Sequence, residues 1–260
     1  RAISNIGIGL HLWNVTCIDD AGNLNISETR NFTVNDLPPT LELITSNNSF
    51  TNTGNITLVY NATDNNGFLG SQLILNNQIN ATNQSNIING QYNNFTLVNL
   101  ANGVYLWAVN ITDTGGFNAT ATPERTFTVD KNLPAISLNL PNNNTQSNSS
   151  SLSFNFTATD NIDTSLACNL SVGEKKDNNF AASNGSLTNR QITGLTDGAK
   201  IWNVTCIDDA GNLNISENRM INIIEYPAIN LNTQNNSFFN VSSINLTYTP
   251  SDNTNLSSCN

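Results

Sequence analysis

Charge is scarce in this chain. Lys, Arg, Asp and Glu make up 11% of its 260 residues, against roughly 25% in an ordinary soluble domain. The 9 basic and 19 acidic side chains leave a formal net charge of −10. An acidic, Lys-poor surface repels phosphate, which excludes nucleic acid as a partner. Histidine is nearly missing too: His11 is the only one, and the repeats described below match it with Tyr105 and Lys200, so it reads as a strand-edge surface residue and not as a general base. There is no Gly-rich phosphate loop and no metal motif with His or Cys spacing. No apolar run approaches the roughly 18 residues of a membrane span, so this segment is expected to contain no span, and no signal peptide is evident. The chain opens on Arg1, as expected of a processed product or of a window from something longer. These absences point away from an enzyme, and no cofactor is required.

What is present is Asn, about a fifth of the chain, with Ser and Thr supplying about another fifth. The 38% of apolar residues suffices for two or three small cores of roughly 90–100 residues each. Their arrangement is repetitive. Residues 11–30, HLWNVTCIDDAGNLNISETR, return as KIWNVTCIDDAGNLNISENR at 200–219, and a diverged copy, YLWAVNITDTGGFNATATPE, lies at 105–124. Trp13, Trp107 and Trp202 therefore mark one unit repeated 94 and 95 residues apart, the signature of a domain array. Within the units the period is two. Leu152, Phe154, Phe156 and Ala158 alternate with Ser153, Asn155 and Thr157, a strand with one buried face. Ile56, Leu58, Tyr60 and Ala62 repeat that register, as do Ile244, Leu246 and Tyr248. In the Trp strands, Trp202, Val204 and Cys206 point one way, matched by Trp107, Val109, Ile111 and by Trp13, Val15, Cys17. Short β runs separated by Asn, Gly and Ser turns predict an all-β sandwich of about seven strands. Pro in NDLPPT, DKNLPA and IEYPA marks the linkers.

The ATDN and WNVTCIDDAGNLN segments, together with the placing of the cysteines, resemble the tandem immunoglobulin-like repeats of large archaeal cell-surface proteins. The resemblance covers essentially the whole chain. It implies tandem immunoglobulin-like β-sandwich domains in an extended string, a structural part of an envelope layer, stalk or filament, and no chemistry. Alignment of the copies places Arg1 opposite Arg190 and Asn260 opposite Asn169. The expected organisation is the C-terminal half of a domain at 1–35, whole domains at 36–130 and 131–225, and the N-terminal half of another at 226–260, completed by a neighbouring copy or by a longer chain.

Cys168 lies near the third strand and Cys206 on the Trp strand of 131–225, and a bridge between them is expected to pin one sheet to the other beside Trp202. In 36–130 Ile111 replaces one member and Gln72 or Leu73 the other, and joint loss is what a bonded pair shows. A disulfide implies an oxidising, extracellular location. Cys17 and Cys259 match the two members of that pair, one in each half-domain, and are expected to bond between copies or across a longer chain.

The chain contains 22 N-x-S/T sequons, more than its composition would place by chance. A strand with Asn and Thr on its outer face spells some of them by geometry alone, yet alternation does not explain the avoidance of Lys and Glu on faces that need solvation. Covalent N-glycans would supply that solvation, and Asn14, Asn25, Asn31, Asn55, Asn61, Asn94, Asn110, Asn118, Asn155, Asn169, Asn203, Asn214, Asn240 and Asn245 are the expected acceptors. Each repeat also sets one carboxylate after its second strand and one after its Trp strand, at the end of the sandwich where the preceding linker arrives. Asp36, Asp64 and Asp113 form one such set and Asp130, Asp160 and Asp208 the other; both are candidate Ca²⁺ ligands, although Asp in these settings is also a common turn former.

Together with what the resemblance implies, the expectation is a glycosylated extracellular structural protein that assembles head to tail with copies of itself into a surface filament or envelope layer. Two alternatives remain open at this level: an adhesin stalk that presents a tip to other cells or surfaces, and the stalk of a secreted enzyme.

Overall fold

A computed structural model describes every residue except Arg1, Asn5, Glu225, Asn253, Thr254, Asn255 and Asn260. The described residues form strands and turns, and among them no helix is long and apolar enough to cross a membrane. The chain divides into two compact units, residues 1–131 and 132–260.

The first unit opens with two short hairpin-like pairs. Strands β1 (Gly9–Trp13) and β4 (Arg30–Val34) pair antiparallel, and β2 (Thr16–Ile18) pairs with β3 (Leu24–Ile26). A complete sandwich follows: β5 (Thr40–Leu43), β6 (Ser49–Thr51), β7 (Ile56–Thr63), β8 (Phe68–Leu75), β9 (Gln78–Asn83), β10 (Tyr92–Leu97), β11 (Gly103–Asp113), β12 (Asn118–Thr120) and β13 (Arg125–Val129). One sheet has the order β10-β7-β5 and the other β6-β13-β11-β8-β9, with β12 pairing beside β11. The period-two pattern decides what lies between them. Leu58, Tyr60 and Ala62 on β7 and Trp107, Val109 and Ile111 on β11 are all buried in one core with Leu73 and Phe127.

The second unit contains the same sandwich: β14 (Ala135–Leu140), β15 (Thr145–Ser147), β16 (Leu152–Thr159), β17 (Ser165–Val172), β18 (Lys175–Ser183), β19 (Leu187–Ile192), β20 (Gly198–Ile207), β21 (Leu213–Ile215) and β22 (Arg219–Ile223). Its sheets are β14-β16-β19 and β15-β22-β20-β17-β18, with β21 beside β20. Phe154, Phe156, Leu166, Leu170, Trp202, Val204 and Ile221 fill the core, and Phe154 meets Trp202 edge-on at 5.1 Å between centroids. The unit closes with β23 (Ala228–Leu231) and β24 (Tyr248–Ser251), paired antiparallel. Strands β5, β14 and β23 begin just after Pro39, Pro134 and Pro227, where a missing N–H is tolerated.

The expected bond between Cys168 and Cys206 is present, but its geometry corrects the expectation. The two residues face each other across β17 and β20, neighbours in one sheet, so the bridge ties two strands and does not pin sheet to sheet. The counterpart pair of the first sandwich is also corrected. Ile111 stands opposite Ser71, not Gln72 or Leu73, and Ser71 hydrogen-bonds the hydroxyl of Tyr60 at 2.8 Å. Burial pushes the Tyr60 hydroxyl's pKa up, an effect that the Ser71 contact partly offsets. A polar contact thus occupies the place that Phe156 and the disulfide fill in the second sandwich.

Candidate functional site at the carboxylate end of the sandwich

Three loops meet at one end of the first sandwich, and each brings a carboxylate. Asp64 follows the last residue of β7, Asp113 ends β11, and Asp36 lies in the segment between β4 and β5. One oxygen from each comes within 4.8 Å of the other two. The local chain holds them there. Asp113 closes a tight turn: its N–H donates to the Phe117 carbonyl at 3.0 Å, and its Oδ1 accepts the Phe117 N–H at 2.8 Å. Asp64 Oδ1 accepts the Asn66 N–H at 2.7 Å, and Asp36 Oδ2 accepts Asn66 Nδ2 at 3.0 Å. Asn65 clasps the linker on both sides of Asp36, donating to the Asn35 carbonyl at 3.0 Å and accepting the Leu37 N–H at 3.3 Å. Thr114 ties the β11 turn to the loop after β7 through the Asn66 and Gly67 carbonyls.

These bonds use one oxygen of each carboxylate and leave the other. Asp36 Oδ1, Asp64 Oδ2 and Asp113 Oδ2 are shielded from solvent and make no hydrogen bond, and Asp113 as a whole is 0% exposed. Like charges at this separation repel, and none of the three carboxylates is in an ion pair among the described residues. Gly115 leaves space for the cluster: a Cβ there would stand 1.8 Å from Asp36 Oδ2 and would make the Asp36 carboxylate move.

The turn recurs in the other copies with one difference. Asp208 Oδ1 accepts the Asn212 N–H at 2.7 Å, and its Oδ2 accepts Asn212 Nδ2 at 2.7 Å. Asp19 is engaged by Asn23 in the same way, and the Asn23 side chain is the main reason its carboxyl is held below the usual range. In the first sandwich Phe117 stands where these Asn residues stand, so Asp113 Oδ2 has no amide to satisfy it. Of the second expected set, Asp130 is a buried residue of the first unit, following β13, whereas Asp160 and Asp208 belong to the second unit. Asp160 accepts the Ile162 and Asp163 N–H groups through Oδ1. Asp163, which the sequence pattern did not single out, is buried there as well. Burial pushes its carboxyl pKa up; the Asp209 N–H bonded to it acts the other way, and the charges of Asp209, Asp160 and Asp208 add to the rise.

The sequon asparagines divide by strand position. Asn55, Asn94, Asn118 and Asn169 are exposed, as are Asn14, Asn25, Asn31, Asn240 and Asn245. Asn61, Asn110, Asn155, Asn203 and Asn214 are half-buried, four of them on the central strands β7, β11, β16 and β20, whose outer faces are flanked by side chains on both sides. The Oδ1 atoms of Asn61, Asn110 and Asn155 are cut off from solvent, Asn203 Nδ2 donates to Asn218 Oδ1 at 2.8 Å, and Asn214 Nδ2 donates to the Pro134 carbonyl at 2.8 Å. Cys17 and Cys259 are exposed and unbonded. His11 stacks on Phe32, with Nε2 2.6 Å from the Gly7 carbonyl.

The strand order and the paired sheets define a tandem immunoglobulin-like, all-β protein. No protein-family model matches the chain, and no curated protein matches it in sequence. Among solved structures it is similar to the fibronectin(III)-like modules of Clostridium thermocellum CbhA, at 12% identity over 72% of this chain and 95% of that one, with a TM-score of 0.47. It is also similar to a marsupial T cell receptor, at 15% identity over 73% and 75% of the two chains, again with a TM-score of 0.47.

Proposed function

We propose that the chain is a structural, extracellular segment of a surface filament or envelope layer, of the archaeal kind its repeats resemble, without catalytic activity and assembled head to tail. One observation supports this most. The segments flanking the two sandwiches repeat core strands, yet their apolar residues are uncovered. Trp13 is 45% exposed where its counterpart Trp202 is 0% exposed, and Leu246 is 68% exposed where Phe154 is 0% exposed. An open cleft of ≈ 630 Å³ beside β24 is lined by Leu231, Phe239, Ile244, Leu246 and Tyr248, and Cys259 lines a second one of ≈ 400 Å³ with Ile229 and Pro250. The side chains that would cover such faces are those of the complementary half of the same repeat. In this reading the 226–260 segment of one copy takes up the 1–35 segment of the next, burying Ile244, Leu246 and Tyr248 against Trp13 and Val15 at about 1.5–3 kcal/mol per fully buried large side chain. Cys259 and Cys17 then form the counterpart of the 168–206 bridge. A contact of this heterologous kind propagates into a filament unless its rotation closes.

Non-reducing electrophoresis of the native assembly should show a ladder of evenly spaced, covalently linked species that collapses to a single subunit on reduction. A ladder indifferent to reductant would mean one continuous polypeptide, and a monomer under non-reducing denaturation would remove the cross-link. N-glycans supply the solvation that charge does not. Glycopeptide mapping of protein from its native source should find Asn94 and Asn118 occupied well above Asn110 and Asn155. The reverse order, or the bare polypeptide mass, would defeat this expectation.

A further inference from the structure

We propose that Asp36, Asp64 and Asp113 bind a calcium ion that fastens the linker at Asp36 to the end of the first sandwich. The acidic cluster alone would not carry this. The deciding feature is the buried Oδ2 of Asp113, which has no hydrogen-bond partner although its residue is 0% exposed. An unsatisfied buried carboxylate oxygen is costly, and here two more, Asp36 Oδ1 and Asp64 Oδ2, are shielded in the same way. The three carboxylates also offer one oxygen each within 4.8 Å of one another, close to the roughly 4.0–4.5 Å that separates three oxygens sharing one Ca²⁺ at about 2.3–2.6 Å, so a small turn of the side chains lets a single ion touch all three. Asp64 Oδ1, Asp36 Oδ2 and Asp113 Oδ1 accept hydrogen bonds from Asn66 and Phe117, which hold the carboxylates in position. The donors are all oxygens, with neither His nor Cys among them, which selects a hard cation. The carboxylates come from irregular loops and not from a preformed octahedron, which suits the flexible coordination of Ca²⁺ better than the strict geometry of Mg²⁺.

Phe117 is the residue that makes the site. In the sister turns Asn23 and Asn212 donate Nδ2 to the oxygen that Asp113 leaves open. A Phe at that place, 45% exposed, adds nothing to the core but withholds the amide. Phe117→Asn should therefore fold, since Asn212 occupies the same turn in the second sandwich, and should compete internally with the ion. Asp113→Asn removes the charge and keeps an oxygen for the Phe117 N–H.

The test is an NMR titration of the full chain with CaCl₂, following the amides of Asn66 and Phe117, which bond to Asp64 and Asp113. Both should shift and saturate with a Kd of about 10⁻⁴–10⁻³ M, the range of extracellular modules. MgCl₂ at equal concentration should act about tenfold more weakly or not at all, and each variant should weaken Ca²⁺ binding about tenfold or more while amides of the second sandwich stay in place. Unmoved Asn66 and Phe117 amides in the wild-type chain at about 10 mM Ca²⁺ would overturn the proposal, whatever the variants do. So would identical titrations in wild type and both variants.

Discussion

Trp107→Ala should melt the first sandwich on the order of 15–30 °C below its normal transition while leaving the second intact. Trp107 is 0% exposed and stands at the centre of the core with Val109, Ile111 and Phe127. Truncating a buried Trp or Phe to Ala typically costs about 3–5 kcal/mol, because the cavity closes only in part. That is a large share of the roughly 5–15 kcal/mol that holds a domain folded, and each kcal/mol moves the midpoint of a 60–100-residue domain by about 4–8 °C. No disulfide crosses this sandwich to limit the loss. Trp202→Ala opens a comparable cavity, but the Cys168–Cys206 bond still joins β17 to β20, so the second sandwich should keep a cooperative transition. Calorimetry, with peptide-resolved hydrogen exchange to assign each transition, checks both. A shift below about 5 °C in Trp107→Ala would mean that the indole does not organise the core.

The faces of the strands were legible because a one-sided sheet imposes a period of two. Phe154, Phe156 and Ala158 turn inward for the same reason that Leu58, Tyr60 and Ala62 do. The meeting of Asp36, Asp64 and Asp113 was legible as well, since strand ends and linker share one end of a sandwich. What spacing could not convey was which strands a buried cysteine pair joins. Cross-strand and cross-sheet partners both place a sulfur on the inner face, and only the pairing of β17 with β20 decides. The register of the missing pair failed for a related reason. Ile111 and Cys206 are offset by 95 residues, but Ser71 and Cys168 by 97, because the intervening loops differ in length; alignment carried over from the Trp strand therefore lands on a neighbour and on the wrong face for Gln72. The role of Phe117 lay deeper still. It is visible only when the second oxygen of Asp113 is compared with those of Asp19 and Asp208.

Rebuilding the first core on the pattern of the second should stabilise it by about 2–4 kcal/mol. Ser71 and Ile111 face each other across β8 and β11, as Cys168 and Cys206 do across β17 and β20, and both are buried, at 1% and 0% exposure. Cys at both positions would close a loop of nearly the same length as the native one, whose ends are 38 residues apart, and the chain-entropy model assigns a loop of about 40 residues roughly 4 kcal/mol. The double substitution alone should deliver less. Tyr60 would lose the Ser71 hydroxyl at 2.8 Å, leaving a buried O–H unsatisfied at about 1–3 kcal/mol. Adding Tyr60→Phe removes that group and reproduces Phe156, its counterpart, so the triple variant should exceed the double one by most of that amount. Under reducing conditions the order should invert, with the double variant below wild type because Ile111 and the Tyr60–Ser71 contact are gone and nothing replaces them. Chemical denaturation of all three proteins with and without reductant measures each step. A double variant as stable as the triple when oxidised would show that Tyr60 finds another partner and that the Ser71 contact is not what takes the place of the disulfide.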